Sequence, residues 1–255
     1  MEPSRDSSTR PRLGVVGAGR LGTVLTAALR QAGYPVEGPA GRGDVPAGCH
    51  ALLLFVPDAE IGAAAQTVAG AAPFVGHTSG ATPLSAMDAA GAGLFGLHPL
   101  QSFTGEEPPD AFAGAGCAIA GSTEQALGLA RRLAEDLGMT GFEIDDEGRA
   151  AYHAAASVAS NFLVTLEAAA ERVAAGAGLE PAQARALLAP LVLRTARNWA
   201  ELGPERALTG PVARGDNATV AVQRAAVQEA APELLALFDE LVERTRVLAQ
   251  RGVTA

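Results

Sequence analysis

The chain has four histidines, few enough to weigh singly, and two of them sit where proton chemistry could be done. His153 lies in an Ala-rich stretch with Ser157, Ser160 and Asn161. At about 100° per residue the four fall within an arc of about 100° on one helix face, a polar stripe on an otherwise apolar helix. Such a stripe is costly to bury without partners. It therefore either lines a wet cleft or is satisfied locally, the serines by bonding back to helix carbonyls. On the cleft reading His153 is a general acid, because imidazole titrates near working pH. Ser157 is a second candidate at the chemistry, and Asn161 would orient a substrate or a carboxamide. His98 ends the apolar run GLFGLH and precedes Pro99, with Gln101 just beyond. Ligands of open α/β sheets bind outside the carboxyl ends of strands, which puts His98 and Gln101 at a cleft. His77, Thr78 and Ser79 close another apolar run in the same way. Thr209 and Arg214 lie in a Gly/Pro-rich loop. Arg214 is a candidate clamp for a substrate carboxylate, because its planar fork gives two parallel hydrogen bonds. Locally, Arg214 could instead pair with Asp216, or Asp216 could cap the next helix. Tyr152 reads as a packing residue, and His50, which precedes a strand, has no assigned role.

The second constellation is Gly17-Ala18-Gly19-Arg20-Leu21-Gly22, a G-x-G-x-x-G pattern directly after the apolar run LGVV and opening an amphipathic helix. In this setting the first glycine permits a tight turn, Gly19 lets the backbone approach a pyrophosphate, and Gly22 lets helix and strand pack closely. The phosphates then rest on unpaired amides at the helix N-terminus. Glu37 falls about 20 residues after the first glycine, where an acid would bond the ribose 2′-OH of NAD. Arg42 follows in the same loop and could pair with a 2′-phosphate. NADP is the expected cofactor, with NAD a possible one.

These residues need a scaffold, and the first half of the chain supplies an alternation of short apolar runs and helix-like stretches. Strands are expected at 12–16, 34–37, 51–56, 73–77, 93–98, 116–120 and 140–144, with helices at 20–32, from Asp58 to 71, and at 123–137 capped by Ser122. After Asp146 no strand-like run remains. A long helix over 147–175 carries the His153 stripe, another starts at Pro181 and runs to 202, a loop spans 203–215, and two more helices fill 216–250. The expected fold is α/β: an N-terminal Rossmann domain with a parallel sheet, followed by an all-helical C-terminal domain. Residues 1–11 read as a disordered tail, 12–146 as the dinucleotide domain, and 147–255 as a substrate and dimerisation domain.

Several segments together resemble the 6-phosphogluconate dehydrogenase-like superfamily. Within it they resemble an uncharacterised bacterial group of Rossmann-like NADP-dependent oxidoreductases related to ketopantoate and pyrroline-5-carboxylate reductases. They are Val56-Pro57-Asp58, His77-Thr78-Ser79-Gly80, Gly96-Leu97-His98-Pro99-Leu100-Gln101, Tyr152-His153 through Ser160-Asn161, and Ala207-Leu208-Thr209-Gly210-Pro211 through Arg214-Gly215-Asp216. The resemblance implies a cofactor cleft bordered by Val56, Pro57 and Ser79, and substrate contacts from Gln101, Thr209 and Arg214. It also implies hydride transfer to a C=O or C=N beside a carboxylate, in a homodimer joined through the helical domain. The hydroxyacid dehydrogenases of this superfamily carry a Lys one turn before an Asn on the long helix. This chain has Ser157 before Asn161, which is closer to the pyrroline-5-carboxylate reductase arrangement.

Composition narrows the field further. All 19 basic residues are Arg, so no lysine can act as acid, base or Schiff-base former. A net charge of −9 with no basic cluster argues against nucleic acid as a partner. Cys49 and Cys117 lack metal-ligand spacing, so neither a metal nor a disulfide framework is expected. Without a long apolar run or a signal-like core, the expected setting is cytoplasmic, with no membrane partner and a small carboxylate as substrate. A second reading keeps the cofactor and drops the chemistry: a non-catalytic NADP(H)-binding protein that senses redox state or serves a partner.

Overall fold

The protein is described by a computed structural model over residues 10–41 and 43–253. Its strands are β1 (Leu13–Val16), β2 (Val36–Ala40), β3 (Ala51–Leu54), β4 (Phe74–His77), β5 (Gly93–Leu100), β6 (Gly116–Gly121) and β7 (Thr140–Glu143). They form one sheet in the order β2-β1-β3-β4-β5-β6-β7. β1 and β3 are buried at every position, because both faces of the sheet are covered. One face holds α1 (Arg20–Gln31) and α3 (Glu124–Asp136), packing Leu25, Leu29, Leu129 and Leu133 against Leu13, Phe95 and Leu97. The other holds α2 (Ile61–Thr67) and the 3-10 turn Leu84–Ala90, packing Ile61, Ala65 and Met87 against Leu52, Leu54, Val75 and Leu94. A fully buried Leu or Phe contributes about 2 kcal/mol, several times the spread in helix propensity. Packing on the sheet therefore decides where these elements sit.

One pairing departs from a purely parallel sheet. β6 runs antiparallel to β5, with His98 opposite Ala118 and Gly96 opposite Ala120. A parallel return needs a crossover, usually a helix, and residues 101–115 supply only the 3-10 turn Pro109–Phe112. The expected cap is also displaced by one residue. Thr123 caps α3 by accepting from the Ala126 amide, while Ser122 prolongs the ladder, its hydroxyl accepting from the Leu94 amide at 2.8 Å.

The long helix expected over 147–175 is two. α4 (Arg149–Ala159) ends at Ser160, whose φ of −119° and ψ of −72° leave the helical well, and α5 (Asn161–Ala174) begins at once. The break coincides with the division of the chain into two compact units, one ending at Ser160 and one starting at Asn161. The boundary falls later than residue 147 because α4 packs on the sheet unit, with Tyr152 edge-on to Phe142 on β7. The stripe of His153, Ser157, Ser160 and Asn161 is thereby cut, and Asn161 belongs to the second unit.

That unit contains α5, α6 (Pro181–Leu202), the short α7 (Pro204–Ala207), α8 (Asn217–Ala230) and α9 (Leu235–Val253). Two bidentate ion pairs tie its helices, Arg185 to Glu171 and Arg224 to Asp239. Large apolar side chains on α5 and α6 remain open, among them Val164, Leu187, Leu191, Leu193 and Trp199, each at least 60% exposed. Among the described residues no helix is long and apolar enough to cross a membrane, and no three His, Cys, Asp or Glu side chains gather as a metal cage.

Candidate active site

The glycine loop is built as its sequence requires. Gly17 has φ +104°, and an added Cβ there would meet the Phe55 carbonyl oxygen at 2.2 Å. At Gly22 a Cβ would meet the Gly17 carbonyl oxygen at 2.5 Å, so the turn and the close helix–strand approach both exclude side chains. Gly19 differs: a Cβ there would have nothing within 4 Å, because the space above it is open. Gly19 is the N-cap of α1 and offers no side-chain acceptor. The first amides of α1, at Arg20, Leu21 and Gly22, are therefore left for an outside acceptor.

Two cavities flank this loop. One of about 590 Å³ is lined by Gly17, Ala18, Gly19, Ala40, Gly41, Asp44, Val56, Pro57, Ala64 and Val68, among others. The other, of about 370 Å³, is lined by Gly19, Arg20, Leu21, Gly22, Val56, Pro57, Asp58, Thr78 and Ser79 as well as Phe55. Every expected cofactor residue in the described chain, Gly17 through Gly22, Val56, Pro57 and Ser79, lines one or both. Arg42 lies outside the described residues. A dinucleotide fits this arrangement, with an apolar slot at one end, bare helix amides in the middle and a hydroxyl at the other. Glu37 does not line either cavity; its carboxylate pairs with Arg12 at 3.0 Å. Asp44, which the sequence reading passed over, does line the larger one.

Ser79 links the smaller cavity to a layer of histidines. Its hydroxyl donates to Asp58 at 2.8 Å and accepts from the amides of Ala81 and Thr82. Its own amide donates to His77 Nδ1 at 3.1 Å. His77, the last residue of β4, is paired with Gly96 on β5. Side chains alternate along a strand, so His98, two residues after Gly96, shares that sheet face with His77. An added Cβ at Gly80 would lie 2.9 Å from His98 Nε2 and 3.0 Å from His153 Cδ2, so both imidazoles border this loop.

Helix α4 covers the layer. Arg149, Tyr152 and His153 lie on one of its faces. Tyr152 Oη is 2.6 Å from His98 Nδ1, and the His98 and His153 rings stand edge-to-face at 6.2 Å. Arg149 is 3% exposed, its Nε donating to Asp146 at 2.7 Å. Its Nη2 lies 3.5 Å from where a Gly96 Cβ would be, so the guanidinium rests on the space this glycine leaves. Arg149 Nη2 and His77 Nε2 are buried without a hydrogen-bond partner among the described residues.

The electrostatics follow from burial. Desolvation, helped by the nearby Arg149 charge, lowers His77 to a pKa of about 4. Desolvation, followed by His153, lowers His98 to about 4 as well. Burial pushes the Tyr152 phenol up to about 12. The layer therefore holds two neutral imidazoles and a neutral phenol at ordinary pH.

The structure thus gathers His98, His153 and Ser79 in the sheet unit, with Ser157 half-buried one turn beyond His153 on α4. Gln101 lies just past β5, exposed, its Oε1 accepting from the Ser102 amide. Asn161, Thr209 and Arg214 belong to the second unit, where all three are exposed. Asp216 caps α8 by accepting from the Thr219 amide at 3.0 Å. The sequence reading missed Tyr152, Arg149 and Asp58. Tyr152 in an Ala-rich helix carries only a packing signal, and nothing local reveals that its hydroxyl meets a strand residue far back in the chain.

A family model described as a domain of unknown function, DUF2520, matches residues 115–245, just over half of the 255 residues. The chain belongs to the DUF2520 family. This DUF2520 chain is also similar along most of its length to solved structures. Protein TM1727 from Thermotoga maritima is 27% identical, with a TM-score of 0.78 over 93% of this chain and 99% of that one. BF3122 from Bacteroides fragilis, a candidate NADP oxidoreductase, is 21% identical, with a TM-score of 0.79 over 93% of this chain and 98% of its own. Pyrroline carboxylate reductase from Plasmodium falciparum, solved with NADP bound, is 10% identical, with a TM-score of 0.58 over 94% and 98%. No curated protein matches the chain. These likenesses establish the fold, a Rossmann-type sheet unit followed by helices.

Proposed function

We propose that this DUF2520 protein is an NADP-dependent oxidoreductase acting on a C=O or C=N bond next to a carboxylate. The observation that carries the proposal is continuity. The cavity over the glycine loop reaches Ser79, Ser79 is bonded to His77, and Gly80 abuts His98 and His153. A nucleotide cradle without chemistry to serve has no need of a histidine layer at its far end. The NADP bound by the Plasmodium falciparum reductase of like fold supports the same cofactor here.

Gly17, Ala18, Gly19, Arg20, Leu21 and Gly22 would hold the pyrophosphate through backbone amides, with Val56 and Pro57 against the cofactor and Arg42 near a 2′-phosphate. When bound, the reduced cofactor supplies a hydride. The chain's own work is to bind, to orient and to supply the matching proton. His153 and His98 are the proton-handling groups, with Ser157 beside them. Asn161, Thr209, Gln101 and Arg214 are the proposed substrate contacts, Arg214 as the carboxylate clamp. We also take the open apolar side chains of α5 and α6 as the seat of a homodimer, because isolated monomers rarely expose so much large apolar side chain.

The test is a panel of 2-oxo acids and cyclic imino acids incubated with NADPH, following loss of the reduced nicotinamide absorbance. Turnover of any member supports the assignment. Tight NADPH binding with no turnover across the panel points instead to the redox-sensing reading.

A further inference from the structure

His98 and Tyr152 share a hydrogen bond whose direction decides what His98 can do. With the proton on Nδ1, the imidazole would donate to the phenol oxygen and leave an Nε2 lone pair, a base. With the phenol proton donated to Nδ1, the ring carries its proton on Nε2 and becomes a donor. A 2.6 Å separation suits the second case. A phenol is a strong donor and a poor acceptor, and an imidazole nitrogen is a strong acceptor. Tyr152 has no other hydrogen-bond acceptor among the described residues.

We propose that Tyr152 is a positioning residue that donates its hydroxyl proton to His98 Nδ1 and so fixes His98 in the Nε2–H tautomer, presenting a rigid donor to a substrate oxygen or nitrogen. Three further observations agree. His98 Nε2 borders Gly80, and the His98 side chain is only partly buried. His77, on the same sheet face, is held in the same tautomer, because its Nδ1 accepts from the Ser79 amide. The groups acting on His98 are His153 and Arg149 from α4, Asp58 from the turn after β3, and His77 from β4; Asp58 alone opposes the loss of its proton. Neutral His98 then polarises the substrate bond as a hydrogen-bond donor, which leaves proton delivery to His153.

The use of this donor on a substrate rests on the reductase reading; the tautomer does not. Long-range nitrogen–proton correlation spectra of the full chain, labelled at histidine nitrogen, read the tautomer directly. The expected result is a pyridine-like Nδ1 and a protonated Nε2 for His98, unchanged across the neutral range. In Tyr152→Phe the two nitrogens should move toward the averaged shifts of free imidazole, and the titration midpoint should rise. A protonated Nδ1 in the wild-type chain, or identical His98 shifts in the variant, overturns the proposal. The wild-type spectrum decides even if the variant fails to fold. A reductase assay that fails while the tautomer is as expected overturns the reductase reading alone.

Discussion

The Ser79 hydroxyl donates to the Asp58 carboxylate at 2.8 Å and thereby fastens the end of β4 to the turn that follows β3. The same oxygen accepts from two amides, Ala81 and Thr82, so one side chain organises the loop between the glycine cradle and the histidines. Ser79→Ala removes all three bonds from a buried position. It should lower stability by about 1–2 kcal/mol and weaken NADPH binding. Urea unfolding and calorimetric titration check the two effects, and a variant unchanged in both would show that the loop needs no such fastening.

Gly19 and Gly17 separate binding from folding. Because a Cβ at Gly19 meets nothing in the chain, Gly19→Val should leave the melting temperature almost unchanged. The added atoms would stand where the pyrophosphate backbone approach is needed, so the NADPH dissociation constant should rise at least about tenfold. Gly17→Ala should do the reverse, unfolding the chain through its clash with Phe55 and its φ of +104°. A Gly19→Val chain that binds NADPH normally would place the cofactor elsewhere.

How much of this was legible beforehand varies with the physics involved. The seven strands could be read because strands such as β1 and β3, buried on both faces, must be continuous apolar runs. The glycine loop was legible because its three glycines each meet a separate steric demand. The break at Ser160 was not, since Ala-rich helix continues on either side and only packing reveals the interruption. Tyr152 and Arg149 were invisible as site residues for a different reason. Their roles depend on partners on β5, and spacing along one helix carries no information about a strand some fifty residues away. Arg149 also needs the missing side chain of Gly96, a complementarity between two elements that neither announces alone.

Acid should destabilise the chain through His77 and His98. Both have folded pKa values near 4, lowered mainly by burial, against an unfolded value of about 6.5. Between those values the unfolded chain binds more protons than the folded one, so stability is fully present above about pH 6.5 and is lost as pH falls toward 4. The loss should be on the order of 3 kcal/mol per histidine at full extent. Denaturant midpoints measured across this range should fall steadily with acid in the wild-type chain and less steeply in His98→Asn. A flat profile would mean that the histidines are not desolvated as described.

The acidic residue expected to read the cofactor ribose makes the sharpest test of the cradle. Glu37 sits on β2, but its carboxylate is drawn to Arg12 at 3.0 Å, with both side chains about half exposed. An exposed pair of this kind is worth at most about 1 kcal/mol, so its loss should barely move stability. Because Glu37 lines neither cavity, Glu37→Ala should leave the ratio of NADPH to NADH affinity within about twofold of the wild type. Asp44, by contrast, lines the larger cavity, where its charge would repel a 2′-phosphate. Asp44→Asn should shift the affinity ratio further toward NADPH. Competitive calorimetry with both cofactors separates the two residues: a change with Glu37→Ala and none with Asp44→Asn would return ribose recognition to β2.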